Sequence, residues 1–231
     1  MKAKIQRSKT TEEVRPAKGN IRIDPTLELQ VGASSDDCQR RKNPDDLRWS
    51  LTQGTIVAGA DTYNHYLGGG MRFTNITIPK NAIIATAYLI LRGSQATGGA
   101  ACRTRISAEN VDNPVTFAND AAAFDARWAN RTSIRINWDN IPTWTKDVDY
   151  NSPEIKTVIQ EIVNRAGWAS GNAIVIFWED YENRSTWAYE NRRYAYSYNG
   201  STTYAPKLYI EYTTVVAPTV TTQAVSDIGL D

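Results

Sequence analysis

Apolar and polar residues alternate along much of the chain, and this period of two residues predicts β-strands. The alternation is clear at Tyr194, Tyr196 and Tyr198, and the continuous apolar run at 173–178 predicts a strand that is buried on both faces. Gly, Asn, Asp and Pro residues between the segments indicate turns. Residues 54–70 predict a loop with aromatic interruptions. Short strands are predicted in the segments 21–23, 27–31, 38–41, 47–51, 71–78, 83–91, 101–108, 134–138, 173–178, 194–198 and 208–212.

One segment with a helical period follows Asn151 and Ser152, either of which can cap a helix, and Pro153 suits the first helical position. An apolar stripe then recurs at i, i+3, i+4 and i+7, and it consists of Ile155, Val158, Ile159 and Ile162. Gly167 is expected to end the helix. Because so short a helix is not stable alone, we expect it to lie across a sheet or to cap the open end of a sandwich.

A second helix is predicted at 121–131, where Phe124 and Trp128 lie four positions apart and Asn119 or Asp120 can cap the start. Strands do not alternate regularly with long helices, which disfavours a parallel α/β sheet. We therefore predict a mainly β fold: an antiparallel, jelly-roll-like β-sandwich with one or two short helices packed on it.

Three parts of the chain differ in pattern. Residues 1–19 are polar and mostly basic without periodicity, which predicts a flexible N-terminal arm that is solvated or docks on nucleic acid or a neighbouring subunit. Residues 20–213 carry the strand pattern and form the predicted sandwich domain. Residues 214–231 predict a linker or the start of a following β module.

The composition of the chain indicates a general class of protein but not a specific function. The 231 residues are 41% hydrophobic with a formal net charge of +1, so we expect a substantial core. The nearly balanced charge offers no overall case for nucleic acid or acidic lipid as a partner. No run of about 18 apolar residues predicts a membrane span. The basic start has no apolar stretch after it and predicts no secretory signal. We expect either a chain that stays in the cytoplasm until lysis or assembly, or a part of a longer precursor.

The chain has two cysteines, Cys38 and Cys102, and one histidine, His65. Two buried thiols are one interpretation of the cysteines, and a single disulfide is the other. No Gly-x-Ser-x-Gly elbow occurs, and nothing in the sequence brings either cysteine beside His65 for catalysis.

Several motifs resemble a known kind of β-sandwich module. They are GMRFTNITIP at 70–79, AIIATAYL at 82–89, ISAENVDN at 106–113, SPEIKTVIQEIVNRAGW at 152–168 and APKLYIEY at 205–212. The chain from about residue 31 to 212 resembles a galactose-binding-like, jelly-roll accessory module of phage or metagenomic virion proteins and of bacterial secreted multidomain proteins. The resemblance implies a non-catalytic appendage, and some of these jelly rolls bind carbohydrate or hold a structural calcium ion. Fold alone carries only a weak functional expectation.

The segment 179–193 mixes aromatic rings with arginines, which is the chemistry of a sugar site or of a subunit interface. The alternative is that the rings fill the core while the charges line its rim. The predicted ligand-binding residues are Tyr181, Arg184, Trp187, Tyr189 and Arg192.

Acidic residues in the turns offer oxygen ligands for calcium, although ordinary turn chemistry explains them equally well. The candidate calcium ligands are Asp36, Asp37, Glu109 and Asp112. A glycosidase would need two carboxyl groups at a set separation. The carboxylates available for such a pair are Glu109, Asp112, Asp139, Glu179, Asp180 and Glu182.

Three functions follow in order of preference. The first is a non-enzymatic structural or adhesive module of a virion or cell surface, as a capsid-decoration, fibre or tail protein. It would bind other protein subunits, cell-surface glycan or both, and form a homo-oligomer without any membrane contact. The second is a carbohydrate-binding module of a secreted protein, and the third is a glycan-active enzyme.

Overall fold

The computed structural model describes residues 21–23, 25–42, 48–63, 65–188 and 191–216. Asp24–Thr214 forms one compact unit, and the short strand β1, Ile21–Ile23, lies outside it. The other strands, in chain order, are β2 Thr26–Gln30, β3 Asp37–Lys42, β4 Trp49–Ser50, β5 Thr55–Ala60, β6 Tyr66–Ile76, β7 Ile83–Arg92, β8 Thr104–Ala108, β9 Ile136–Trp138, β10 Asp149–Asn151, β11 Asn172–Glu179, β12 Arg192–Tyr196 and β13 Lys207–Val216. The helices are α1, Ala121–Ala129, and α2, Lys156–Val163.

The strands of the compact unit form two antiparallel sheets. In the first sheet the order is β2–β13–β7–β10, and in the second it is β12–β5–β6–β11–β8–β9, with β3 pairing to both β6 and β4. This arrangement confirms the predicted fold class, a mainly β, jelly-roll-like sandwich with two short helices.

The main core lies where the inner faces of the two sheets meet. The first sheet contributes side chains such as Leu89 and Leu208, and the second contributes Phe73, Ile176 and Trp178, all fully buried. Every residue of β11 after Asn172 is buried, as the continuous apolar run predicts. A second apolar cluster includes Phe117, Phe124, Val175, Phe177 and Tyr181, and α1 contributes Phe124 to it.

Helix α1 begins where its sequence predicts. Asp120 is the N-cap, and its side chain accepts hydrogen bonds from the backbone N–H groups of Ala122 and Ala123. The helix ends at Ala129, two residues before the end of the predicted segment.

The other helix, α2, begins later than predicted, because residues 152–155 are bound to the edge of β7. The Ile155 N–H donates to the Ala87 carbonyl, and the Ser152 hydroxyl accepts from the Leu89 N–H. The cap residue is therefore Ile155, and neither Asn151 nor Ser152 caps the helix.

Helix α2 contacts β7 of the first sheet and β8 of the second. Its predicted apolar stripe, from Ile155 to Ile162, is buried in the core. The helix ends at Val163, and Gly167, expected to end it, lies beyond the helix without a positive φ.

The prediction of a loop at 54–70 is wrong, since this segment forms β5 and the start of β6. Close packing explains the glycines inside β6. A Cβ at Gly69 would lie 2.1 Å from the Cys38 carbonyl oxygen, and one at Gly68 would lie 2.7 Å from the Cα of Glu179. The glycines thus allow neighbouring strands to approach closely. Cys38 and Cys102 are buried free thiols, so the disulfide interpretation is wrong.

Candidate binding surface

The loop between β11 and β12 carries the predicted ligand-binding residues except Arg192, which is the first residue of β12, and buried hydrogen bonds fix the start of the loop. The Asp180 carboxylate accepts from the N–H groups of Arg184 and Ser185, at 2.7 and 2.9 Å. Burial raises the pKa of Asp180, although these hydrogen bonds oppose the change. Burial also raises the pKa of Glu179, the last residue of β11. Both residues are almost fully buried, with Glu179 1% and Asp180 0% exposed.

Tyr181 lies inside the second apolar cluster and is only 9% exposed. Its ring packs edge-on against Phe124 and Trp128, and its hydroxyl donates to the Arg40 carbonyl at 3.1 Å. Lys42 lies over the same ring, 4.7 Å from its centroid. Tyr181 thus supports the loop from within, which matches the core interpretation of the aromatic residues.

Ion pairs hold the next part of the loop. Arg184 binds both carboxylate oxygens of Asp139, at 2.8 and 3.0 Å. The Glu182 carboxylate accepts from Arg131 at 2.6 Å and from Arg135 at 2.8 Å, and it is also bound by Arg105. These contacts join the loop to β8, to the segment that leads into β9 and to the residue that follows β9.

Among the predicted residues that the structure describes, Trp187 carries the exposed ring, with 42% of the residue open to solvent. Its indole lies beside Tyr66 at the start of β6, with a ring-centroid separation of 6.2 Å. Arg192 binds the Asp61 carboxylate at 3.0 Å. Trp187 therefore contacts the start of β6, and Arg192 contacts the residue that follows β5. Tyr189 lies outside the described residues.

Residues 61–65 add groups that the sequence pattern did not assign to a site. The Asp61 carboxylate bonds His65 Nδ1 at 2.8 Å and the Tyr63 N–H at 3.0 Å. Burial opposes ionisation of Asp61, but the hydrogen bonds from His65 and Tyr63 and the charge of Arg192 together lower its pKa. The Tyr63 ring is 72% exposed and lies 5.7 Å from the His65 ring.

We call this surface the aromatic corner, and define it as Asp61, Tyr63, His65, Tyr66, Trp187 and Arg192. It combines the exposed rings of Trp187 and Tyr63 with a buried, ionised carboxylate, Asp61, that binds Arg192 and His65. The exposed rings can pack against apolar groups of a partner, while the buried carboxylate fixes the side chains beside them.

Each of the four candidate calcium ligands binds a different partner within the protein. Asp36 binds Arg72 and Glu109 binds Arg127, at 2.8 and 2.6 Å. Asp112 binds Arg165 at 2.7 Å, and Asp37 accepts from the Tyr198 N–H at 2.6 Å. In the described part of the chain, no three His, Cys, Asp or Glu side chains cluster as metal ligands would. Calcium binding stays a prediction.

No protein-family model and no curated protein sequence matches this chain. Among solved structures, it is similar to a chain of Desmodium yellow mottle tymovirus at a TM-score of 0.27 and 8% identity, covering 96% of both chains. For empty-head turnip yellow mosaic virus the TM-score is 0.27 at 9% identity, covering 96% of this chain and 95% of that chain. For Mud crab tombus-like virus it is 0.26 at 12% identity, covering 94% and 95%. We draw no functional conclusion from likenesses this distant.

The two helices of the described residues, α1 with nine residues and α2 with eight, are both far shorter than a membrane-spanning helix.

Proposed function

We propose that this chain is a non-enzymatic structural or adhesive module at the surface of a virion, acting as a capsid-decoration, fibre or tail protein. In this proposal the chain forms a homo-oligomer, and the aromatic corner contacts the neighbouring subunit. The resemblance of the sequence to accessory modules of virion proteins supports the class of protein. The exposure of Trp187, whose indole lies beside Tyr66, is the observation that carries the contact. Tyr63, which is also exposed, precedes Tyr66 by three positions in the chain.

The chemistry of the corner suits a protein interface. Trp, Tyr and Arg residues are the usual anchors of binding energy, and buried contact of such rings removes much apolar area from water. Trp187, Tyr63 and Arg192 supply all three residue types. The ion pairs of Arg184 and Glu182 hold the loop below Trp187, so little conformational freedom remains to be lost on binding.

The solution mass of the purified chain tests this proposal. By light scattering across a dilution series, we expect a defined oligomer whose dissociation constant rises by about tenfold or more in Trp187→Ala. Tyr204→Ala is the matched control, because Tyr204 is an aromatic residue of similar exposure, 38%, that is not part of the corner. Removing residues 1–19 separately tests whether the arm contributes to assembly.

A monomeric wild-type chain at every concentration would refute the assembly proposal, as would an oligomer that Trp187→Ala leaves intact. Circular dichroism of both variants shows whether the fold is kept. A monomer that binds glycans through Trp187 would instead favour the second candidate, a carbohydrate-binding module. That alternative is supported by the same exposed indole, which could stack on a sugar ring, and a glycan array with Trp187→Ala distinguishes the two.

A further inference from the structure

Lys42, the last residue of β3, contacts a carboxylate on helix α1. Its Nζ lies 2.9 Å from Oδ1 of Asp125, and Arg40 of the same strand donates to both oxygens of that carboxylate, at 3.2 and 2.8 Å. The Arg40 residue is 2% exposed, so it holds the carboxylate from the interior. The Lys42 and Asp125 side chains are 20% and 34% exposed. An amine and a carboxyl group are thus kept in contact by two elements that are distant in the chain.

Aromatic rings lie against the amine of this pair. Nζ of Lys42 is 4.1 Å from the centroid of the Trp128 ring and 4.7 Å from that of Tyr181. Burial lowers the pKa of Lys42, although the hydrogen bond to Asp125 opposes this change. Burial opposes ionisation of Asp125, but the hydrogen bonds from Arg40 and Lys42 lower its pKa. The resting pair is therefore an ion pair, and its hydrogen bond is a direct path for a proton from the ammonium to the carboxylate.

A second carboxyl group, that of Glu179 on β11, lies beside the same two rings. Its Oε2 accepts from the Tyr181 N–H, whereas its Oε1 and the Trp128 indole N–H are buried and make no hydrogen bond of normal geometry in the described part of the chain. Burial raises the pKa of Glu179, although the N–H groups of Tyr181 and Trp128 oppose this change. The charge of Glu179 also acts on Lys42. A buried carboxyl group with an unused oxygen is thus available to carry a proton near the amine.

We propose that Lys42 and Asp125 react with each other to form an intramolecular isopeptide bond. The ammonium first passes a proton to the carboxylate, and the neutral Nζ then attacks the carboxyl carbon. A C–N bond forms, one C–O bond breaks, and the ammonium and carboxylate together become one amide and one water molecule. Atoms and charge balance without any co-reactant. Glu179 relays a proton from the attacking nitrogen to the departing oxygen, and Arg40 binds the carboxyl oxygen on which negative charge develops.

The fixed contact between the two groups is what makes the condensation feasible. A positioned pair reacts as if one partner were present at about 10⁵ M or more, whereas free amines and carboxylates in water do not condense. The new bond would join β3 to α1 and restrict the unfolded chain, as a disulfide does. This proposal does not depend on the proposed subunit contact.

Intact mass spectrometry of the full chain, denatured after incubation in the folded state at neutral pH, tests the proposal. We expect the wild type to be lighter than its sequence by the mass of one water molecule. Lys42→Arg keeps a cation over the rings but has no amine that can condense, so it should have its full sequence mass. Asp125→Ala removes the carboxyl group and should give the same result. Tandem mass spectrometry of a tryptic digest should show a branched peptide that joins Lys42 to Asp125, which separates the isopeptide bond from loss of water elsewhere.

The role of Glu179 is tested by the rate at which the bond forms after cell-free synthesis. Glu179→Gln keeps the size of the side chain but cannot relay a proton, so bond formation should slow by about a hundredfold. Glu28→Gln, on the first sheet, is the control and should react at the wild-type rate. Circular dichroism shows whether each variant is folded. The proposal is overturned if the folded wild type keeps its full sequence mass, or if Lys42→Arg loses the same water. Equal rates for Glu179→Gln and the wild type would overturn the role of Glu179.

Discussion

Asp37 on β3 is a buried acid whose ionisation should destabilise the protein. The residue is 1% exposed, and its Oδ2 accepts a hydrogen bond from the Tyr198 N–H at 2.6 Å. Burial raises the pKa of Asp37 from the ordinary 3.8 to about 7; the Tyr198 hydrogen bond opposes this change, and the charge of Asp36 adds to it. The protonated form is thus favoured inside the fold.

The sign of the pH dependence follows from this raised pKa. Between pH 3.8 and about 7 the folded protein keeps a proton on Asp37 that the unfolded chain has released. The free energy of unfolding contributed by Asp37 is therefore greatest in acid and falls as the pH rises through this window. Because each pKa unit corresponds to about 1.4 kcal/mol, the loss has an upper limit of about 4 kcal/mol.

Asp37→Asn should remove this loss, since the amide is neutral at every pH and its oxygen can still accept from the Tyr198 N–H. We expect the variant and the wild type to be equally stable at about pH 4. At about pH 8 the variant should be about 2–4 kcal/mol more stable. Urea unfolding followed by tryptophan fluorescence at both pH values measures this difference.

Asp36→Asn provides the control on the neighbouring residue. Asp36 accepts from Arg72 and from the Thr116 hydroxyl, so its neutralisation should cost about 1–3 kcal/mol at neutral pH rather than stabilise the fold. If the stability difference between Asp37→Asn and the wild type stays constant from acid to alkaline pH, the reasoning about Asp37 is wrong.

Two further substitutions test local features of the fold by chemical denaturation. Asp120→Ala should lower the free energy of unfolding by about 1 kcal/mol because it removes the cap of α1, whereas Asp120→Asn should lose much less; equal losses would contradict the capping role. Gly70→Ala should cost about 1–3 kcal/mol, since the new Cβ would lie 2.5 Å from the Phe117 ring. Gly32→Ala, where no atom lies within 4 Å of the added Cβ, should cost far less, and an unchanged stability of Gly70→Ala would refute the close contact.

The strands with a strong pattern were predictable from the sequence alone. The β-prone segment 83–91 and the apolar run in 173–178 correspond to β7 and β11, and Asp120 was one of two expected caps of α1. The central strand β6 was not predicted because its glycines resemble a loop. These glycines allow side chains and backbone from distant parts of the chain to pack closely against the strand. The prediction of where α2 begins was wrong for a similar reason, since Ser152 forms a hydrogen bond with a strand that is distant in sequence.

The candidate surface was predictable only in part. A local mixture of rings and arginines identified Trp187 and Arg192, but it could not separate exposed rings from the buried ring of Tyr181. The corner also needs Asp61 and His65, which come from more than 120 residues earlier in the chain. No local pattern reveals such pairings, because they depend on which strands become neighbours.

Glu182 and its arginine partners are unequal in number. One carboxylate serves the guanidinium groups of Arg105, Arg131 and Arg135. If a mutation removes one arginine, the carboxylate keeps two partners, whereas loss of Glu182 leaves three like charges facing one another. We therefore expect the fold to tolerate substitution of any one of the three arginines better than substitution of Glu182.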